Sequence, residues 1–205
     1  GAVERLVPLS IQQPELALPF EPGVIWRFTG GPHGGWGSGS AWASLDFAPD
    51  QDRPPSGAFC FIADSWITAV APGVIARSGG GAIVLDLDGD GDESTGWTIN
   101  YLHLDIDESI TAGTTVLTGQ RLGRPSCAGG VSTATHVHIG RRFNGEWLPA
   151  DCQSCLPGLT IPAFVIGGWQ TFGLIGQEYQ GYLEQGGIRV TAEQGRNTTI
   201  NQISW

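Results

Sequence analysis

The stretch THVHIGRRF (residues 135–143) alternates polar with apolar side chains, the pattern of a half-buried β-strand. In a strand, side chains two residues apart project from the same face. His136 and His138 are therefore predicted to point one way, while Val137 and Ile139 enter the core. Two imidazoles on one sheet face serve packing poorly, but they suit a metal site or a proton-transfer site.

Short runs with strand-like composition lie on both sides of this stretch, separated by turn signals such as the Gly79–Gly81 triplet. We expect strands at GVIWRFT (23–29), AFCFIA (58–63), WITAVA (66–71), GVIARS (73–78), AIVLDL (82–87) and WTINYLHL (97–104). Two further short strands are expected within residues 111–123. No long stretch shows a convincing helical period. The sequence therefore predicts an all-β, antiparallel architecture.

The 205 residues are enough for one well-cored domain with an appendage. Residues 1–21 show little periodicity and predict an extended arm, and residues 30–58 predict a long Gly/Ser/Pro-rich loop. After Cys155 the chain has no further His or Cys and alternates glycine with aromatic and β-branched residues. We therefore predict a main domain at 1–155, including the arm, and a C-terminal β extension at 156–205 that packs on it.

The acidic charge bears on the partners. A formal net charge of −10 argues against nucleic acid, because the phosphate backbone is bound by clustered Lys and Arg. No apolar run approaches the roughly 20 residues needed to span a bilayer, so we expect a soluble chain with no membrane partner. The sequence begins at Gly1 without a signal-like segment, so we expect that a targeting peptide has been removed. We also expect a monomer.

The four cysteines are Cys60, Cys127, Cys152 and Cys155. An even number fits two disulfides in an oxidising compartment. Of the three possible pairings we favour Cys60–Cys127 with Cys152–Cys155. The alternative is a zinc site on Cys152 and Cys155, whose spacing normally needs a second pair of ligands, while the other two cysteines stand far apart. The sequence alone leaves this choice open.

Two more histidines complete the set of four in the chain. His103 ends a predicted strand, and His33 lies in the predicted loop after the first strand, with Asp46 further along the same loop. A single histidine in a strand is more often structural than a ligand. The combination of an HxH pair, a lone His and a His-plus-Asp pair in a Gly-rich loop is much stronger evidence for a metal site.

Several segments follow one another between about residues 20 and 150. They are GPH (31–33) with LD (45–46), ITAVAPGVI (67–75), YLHL (101–104), AGTTVLTGQRLG (112–123) and STATHVHI (132–139). In this order they resemble the motifs of the LytM/lysostaphin-type peptidases, the M23 group, and in particular its LasA-like branch. The last segment departs from the family's STGPHLHF motif where Ala134-Thr135 replaces Gly-Pro. The resemblance implies the antiparallel β-sheet groove of that peptidase fold.

The resemblance also implies a role for each histidine. His33, Asp46 and His138 would bind one Zn²⁺, and a set of two histidines and one carboxylate leaves a fourth position open for water. His103 and His136 would lie beside that position as catalytic residues that exchange protons with the water and the leaving amine.

The implied protein is a secreted bacterial zinc metalloendopeptidase that hydrolyses peptide bonds in peptidoglycan cross-links, with Gly-Gly bonds as candidates. One alternative is a non-catalytic wall-binding or regulatory module of the same fold. The other is a peptidase that acts on glycine-rich proteins.

The run DLDGDGDE (86–93) begins like an EF-hand calcium loop. The last position of such a loop falls on Trp97 instead of the bidentate Glu, so the match is partial. The run therefore predicts a solvated hairpin tip, with a structural Ca²⁺ site as the alternative. The candidate calcium ligands are Asp86, Asp88, Asp90 and Asp92.

Overall fold

The structure is a computed structural model that describes residues 5–37, 39–50, 54, 56–152, 155, 160–195 and 198–205. Within these residues the chain forms sixteen β-strands and no helix, so none of them belongs to a helix that could cross a bilayer. The first eight strands are β1 (Trp26–His33), β2 (Ser44–Pro49), β3 (Ile67–Thr68), β4 (Gly73–Gly79), β5 (Ala82–Asp86), β6 (Trp97–Leu102), β7 (Leu104–Ile106) and β8 (Thr115–Val116). The other eight are β9 (Arg121–Pro125), β10 (Val137–Phe143), β11 (Glu146–Trp147), β12 (Val165–Ile166), β13 (Trp169–Leu174), β14 (Gln177–Gln185), β15 (Ile188–Thr191) and β16 (Gln202–Ile203).

The described strands form three sheets, and every strand pair is antiparallel. The main sheet has nine strands in the order β16-β1-β2-β10-β6-β5-β4-β8, with β11 paired to β10. A second sheet has the order β12-β13-β14-β15, and a third has the order β3-β9-β7. The prediction of an all-β, antiparallel fold is confirmed.

Strand β10 lies near the middle of the main sheet, between β2 and β6. Its residues Val137 and Ile139 are fully buried, as their alternation with the histidines predicted. Ile139 lies opposite Leu45 on β2 and Tyr101 on β6, and both of these are fully buried as well. Each such aliphatic side chain contributes about 1.5–3 kcal/mol of burial free energy. The core therefore fixes the register of the strands that carry the histidines.

The predicted loop at residues 30–58 is wrong at its N-terminal part. Strand β1 continues to His33, so this histidine ends a strand and does not lie in a loop. Strand β2 also falls inside the predicted loop, and its residues Leu45 and Phe47, on either side of Asp46, enter the core. Glycine and proline in β1 obscured this pairing, which tolerates them through two register shifts between β1 and β2.

The predicted strand at 58–63 is also wrong, since these residues form no strand. They pack on the loop that leads into β10. The Thr135 amide donates to the Phe59 carbonyl at 2.8 Å, and the Phe61 amide donates to Thr135 Oγ1 at 2.8 Å. The disulfide Cys60–Cys127 holds the same segment in place. One backbone hydrogen bond, a bond to a side chain and a disulfide therefore hold this segment without a strand ladder.

Both favoured disulfides are confirmed: Cys60 bonds Cys127, and Cys152 bonds Cys155. The pairing excludes the zinc site considered for Cys152 and Cys155, because their sulfurs are bonded to each other. The first bridge closes a long loop across 67 residues, the kind of link that restricts the unfolded chain most.

The residues after 155 contact the main sheet in two ways. Strand β16 pairs with β1, where Trp26 lies opposite Ile203. The β13–β14 hairpin packs on the far end of β1, where a Cβ on Gly31 would lie 2.8 Å from the carbonyl carbon of Gln180. The division of the chain at residues 155 and 156 stays a prediction.

Candidate metal centre

Three adjacent strands bring His33, Asp46 and His138 together. His138 on β10 lies directly opposite Asp46 on β2, and His33 is the last residue of β1, the next strand in the sheet. All three residues are buried. Their strand positions place the three side chains on the same face, away from the core side of Val137 and Ile139.

The donor atoms of this group converge closely. His33 Nε2 lies 2.9 Å from His138 Nδ1, and Asp46 Oδ1 lies 3.1 Å from the first and 3.3 Å from the second. Ligands bound to tetrahedral zinc at about 2.0–2.1 Å stand about 3.3 Å apart. The three atoms therefore lie at nearly the spacing that one zinc ion requires.

Hydrogen bonds on the far side of each ring identify these atoms as lone-pair donors. His33 Nδ1 donates to the Gly31 carbonyl at 2.8 Å, and His138 Nε2 donates to the Gly35 carbonyl at 3.0 Å. In a neutral imidazole the other nitrogen then has no proton. Asp46 Oδ1 is buried and has no hydrogen-bond partner among the described residues. With neutral rings, three acceptor atoms thus face one another, an arrangement that a shared proton or metal cation would stabilise.

The electrostatics of the group also favour a positive charge between the three residues. Burial opposes the charged form of Asp46, but the nearby His136 and His33 hold the pKa of its carboxyl well below the usual range. Burial likewise opposes protonation of His33, yet the Asp46 carboxylate raises the pKa of its imidazole. A proton stabilises the three residues only in part. A divalent cation would stabilise them more fully, because both imidazole nitrogens and the carboxylate can bind it.

The other two histidines lie beside this group. The ring centroid of His103 is 4.6 Å from that of His136 and 6.1 Å from that of His138. His136 Nε2 lies 3.6 Å from Asp46 Oδ1. His103 Nδ1 donates to the Ala128 carbonyl at 3.1 Å, and His136 Nδ1 donates to the Ala134 carbonyl at 2.7 Å, which leaves Nε2 of both rings available.

His103 is held in an uncommon backbone conformation between β6 and β7. Its φ of 66° is left-handed, which few residues other than glycine adopt and which is typical of functional sites. Ser126 stabilises it, because its amide and hydroxyl donate to the His103 carbonyl at 2.6 and 3.1 Å. Burial and the proximity of His136 lower the pKa of His103 to about 4, so its imidazole is neutral at neutral pH.

The close approach of β1 to β2 requires a glycine at position 30. Gly30 lies opposite Asp46, and a Cβ there would lie 2.7 Å from Asp46 Oδ2. We expect Gly30→Ala to displace the carboxylate and to weaken zinc binding at least about tenfold, as loss of orientation does in other metal sites. Competition with a chelator measures the affinity. Thr29→Ala, in the same strand, is the matched control, and equal affinity of the two variants would contradict the steric argument.

The sheet β12-β13-β14-β15, here called the C-terminal sheet, adds two residues to the surroundings of the metal centre. The sequence patterns did not indicate them. The ring of Tyr179 stacks on His33 with centroids 4.2 Å apart and planes 20° apart. Glu178 Oε1 accepts a hydrogen bond from the Gly34 amide at 3.1 Å. No spacing or motif links these residues to the histidines, since they lie 145 and 146 positions downstream of His33. Only the folding of the chain brings them to the site.

The acidic run at 86–93 lies in the connection between β5 and β6, at the end of these strands opposite to the end at which Leu102 pairs with His138. Oxygen atoms of Asp86, Asp88 and Asp90 lie within 4.8 Å of one another, and Asp92 is outside that group. Local backbone amides occupy part of the cluster, since those of Asp88 and Gly91 donate to Asp86. Calcium gains no support from the comparisons and stays a prediction.

Comparison with known proteins points to one class. No protein-family model matches the chain. It is 26% identical over 140 residues to Protease LasA of Pseudomonas aeruginosa, in two strains, and the match covers 65% of this chain but only 30% of LasA. Among solved structures, the M23 metalloprotease pseudoalterin from the deep sea is 26% identical, with a TM-score of 0.63 over 88% of this chain and 96% of the other.

These similarities agree with the motifs and the strand order. The chain has the fold of an M23 metalloprotease, and the resemblance inferred from its sequence is confirmed. The chain spans less than a third of the length of its curated relatives.

Proposed function

We propose that the protein is a secreted zinc metalloendopeptidase that hydrolyses peptide bonds in bacterial peptidoglycan cross-links, with Gly-Gly bonds as candidates. The observation that carries the proposal is the convergence of two imidazole nitrogens and one carboxylate oxygen beside two further histidines. Hydrogen bonding explains this arrangement only in part, because it pairs His33 Nε2 with His138 Nδ1 and leaves Asp46 Oδ1 buried without a hydrogen-bond partner among the described residues. A zinc ion with a water ligand explains both parts of it.

In this proposal His33 Nε2, Asp46 Oδ1 and His138 Nδ1 hold the zinc. Two imidazoles and a carboxylate are an established donor set for catalytic zinc, and three protein ligands leave a position for water or substrate. Zinc bound there supplies a Lewis acid for the scissile carbonyl and lowers the pKa of its water to about 7. The hydrogen bonds to Gly31 and Gly35 orient the two rings, as carbonyl partners do for most histidine ligands.

His103 and His136 move protons in the proposed reaction. Each ring donates through Nδ1 to a carbonyl, so each Nε2 is free to accept a proton from the attacking water or to return one to the leaving amine. A protonated Nε2 also stabilises negative charge on the carbonyl oxygen in the transition state. The two rings are in contact with each other, which suits them to act in succession.

The substrate class follows from the resemblance to LytM/lysostaphin-type peptidases and is supported by the surface beside the site. An open groove of about 610 Å³ starts near His103 and includes Gly80, Gly81 and Gly129 in its lining. The glycine part of this lining leaves room for the backbone of an extended peptide, and Asp105, Asp107 and Glu108 make another part of it acidic. Peptides in a cross-link and glycine-rich protein segments both fit this description.

We also propose a compartment, domain boundaries and an oligomeric state for the protein. Two disulfides support an oxidising compartment and therefore export from the cell. We place the peptidase domain at residues 1–155 and the C-terminal extension at 156–205, and we propose that the protein acts as a monomer.

Incubation with purified cell walls tests the function. We expect the protein to release new free amino groups from walls, with chelator abolishing the release and zinc restoring it. Walls with glycine bridges and directly cross-linked walls, compared side by side, identify the bond. Wall binding without new amines, from zinc-loaded protein, would contradict the proposal and favour a non-catalytic module. Cleavage of a glycine-rich protein but of no wall would favour the other alternative.

A further inference from the structure

Two residues beside the metal centre, Glu178 and Tyr179, lie near the start of strand β14. Tyr179 has a left-handed backbone with φ 67°, which is uncommon for a residue with a side chain. Its ring lies nearly parallel to that of His33 at a centroid distance of 4.2 Å. Such strained positions persist where the surrounding structure holds them, and they are typical of functional sites.

The stacked ring limits how His33 can move. The hydrogen bond from His33 Nδ1 to the Gly31 carbonyl fixes one edge of the imidazole but still allows the ring to rotate about that bond. The face of Tyr179 blocks this rotation, because the imidazole would have to leave the stack. Together the two contacts keep Nε2 directed at Asp46 and His138.

Glu178 is linked to the other histidine ligand through the backbone of Gly34 and Gly35. Its Oε1 accepts a hydrogen bond from the Gly34 amide, and the carbonyl of the following residue, Gly35, accepts the proton of His138 Nε2. The position of the Gly34–Gly35 backbone therefore determines the orientation of His138. A segment rich in glycine would otherwise have considerable freedom at this point.

The hairpin that carries both residues cannot shift easily against β1. A Cβ on Gly181 would lie 3.1 Å from the ring of Pro32, and one on Gly31 would lie 3.0 Å from the Gly181 amide. Backbones packed this closely transmit position from the C-terminal sheet to the end of β1.

We propose that Glu178 and Tyr179 are positioning residues that set the zinc affinity of the centre by orienting His33 and His138, and that this is a function of the C-terminal sheet. The proposal rests on the proposed zinc site. It assigns the hairpin a part in building the centre, whereas the sequence left the role of residues 156–205 undefined. Neither residue is a ligand, so both act through the histidines.

Zinc affinity, measured by chelator competition on the full chain, tests the positioning role of Glu178 and Tyr179. We expect Tyr179→Ala to raise the Kd for zinc about tenfold, the size seen when partners of metal-bound histidines are lost. Tyr179→Phe keeps the stacked ring and is expected to bind zinc like the wild type. Glu178→Ala is expected to weaken zinc binding, and Glu178→Gln, which keeps an acceptor oxygen, is expected to preserve it.

Ile175→Ala, an exposed position in the same hairpin, controls for general loosening of the turn. Thermal unfolding of each metal-free variant shows whether it folds, and activity of Tyr179→Ala at saturating zinc is expected to recover. Wild-type affinity in Tyr179→Ala would overturn the proposal, as would equal weakening in Tyr179→Phe. Failure of the proposed function looks different. A wild type that takes up no zinc would overturn both the proposed function and the positioning role of Glu178 and Tyr179. A zinc-loaded wild type that cuts no peptide would contradict the function but not the positioning role.

Discussion

Replacing His138 by alanine is expected to abolish both zinc binding and wall hydrolysis. The residue supplies one of three donor atoms, and its removal leaves His33 and Asp46 as the remaining pair. Loss of an orienting partner alone weakens metal sites about 10–100-fold, so loss of a ligand is expected to exceed about 100-fold. Metal content after dialysis and release of amino groups from walls measure the two effects.

The fold is expected to survive this change, because Val137 and Ile139 hold β10 in the core on the opposite face. Arg142→Ala in the same strand is the matched control, since its side chain pairs with Glu93 and not with the metal group. It is expected to keep its zinc and its activity. A His138→Ala protein that retains zinc or hydrolyses walls would contradict the ligand assignment.

Replacing either His103 or His136 is expected to reduce wall hydrolysis without removing the zinc. His103 and His136 lie beside the donor group without belonging to it, so their variants are expected to bind zinc. Hydrolysis is expected to fall by about 10²–10⁴-fold, the contribution typical of positioned acids and bases. Zinc content and amine release from walls, measured on the same preparation, give both quantities.

The choice of substitution matters at His103 because its backbone is left-handed. Asparagine tolerates that conformation better than alanine does, so His103→Asn removes the imidazole with the least backbone strain. His136 has no such constraint and can be changed to alanine. Normal hydrolysis in either variant would contradict a role in proton transfer. Loss of zinc in both would indicate that they are part of the metal site itself.

The residues of the metal group could be singled out from the sequence because their signal is local. The spacing of His136 and His138 within an alternating run predicts one face of a strand, and the structure has Val137 and Ile139 buried on the other. His33 and Asp46 were recognised through their resemblance to a family motif. Their strand placement was not, since Gly30 and Pro32 weaken the strand pattern that β1 nevertheless completes.

Other features depend on contacts between distant parts of the chain, which no local pattern records. Arg141 lies on the core side of β10 and is fully buried, an uncommon position for a charged side chain. Its guanidinium donates to the carbonyls of Pro149, Pro162 and Ala163 and to the Gln13 side chain, so it joins the arm, β10 and the C-terminal part. Tyr179 reaches His33 for the same reason, through the packing of one hairpin on one strand end.

We propose that one zinc ion is held by His33, Asp46 and His138. Diffraction from zinc-soaked crystals, recorded on both sides of the zinc absorption edge, tests it most directly. We expect one strong anomalous peak within about 2.0–2.2 Å of His33 Nε2, Asp46 Oδ1 and His138 Nδ1. A zinc peak elsewhere, with these three atoms still bonded only to protein, would contradict it.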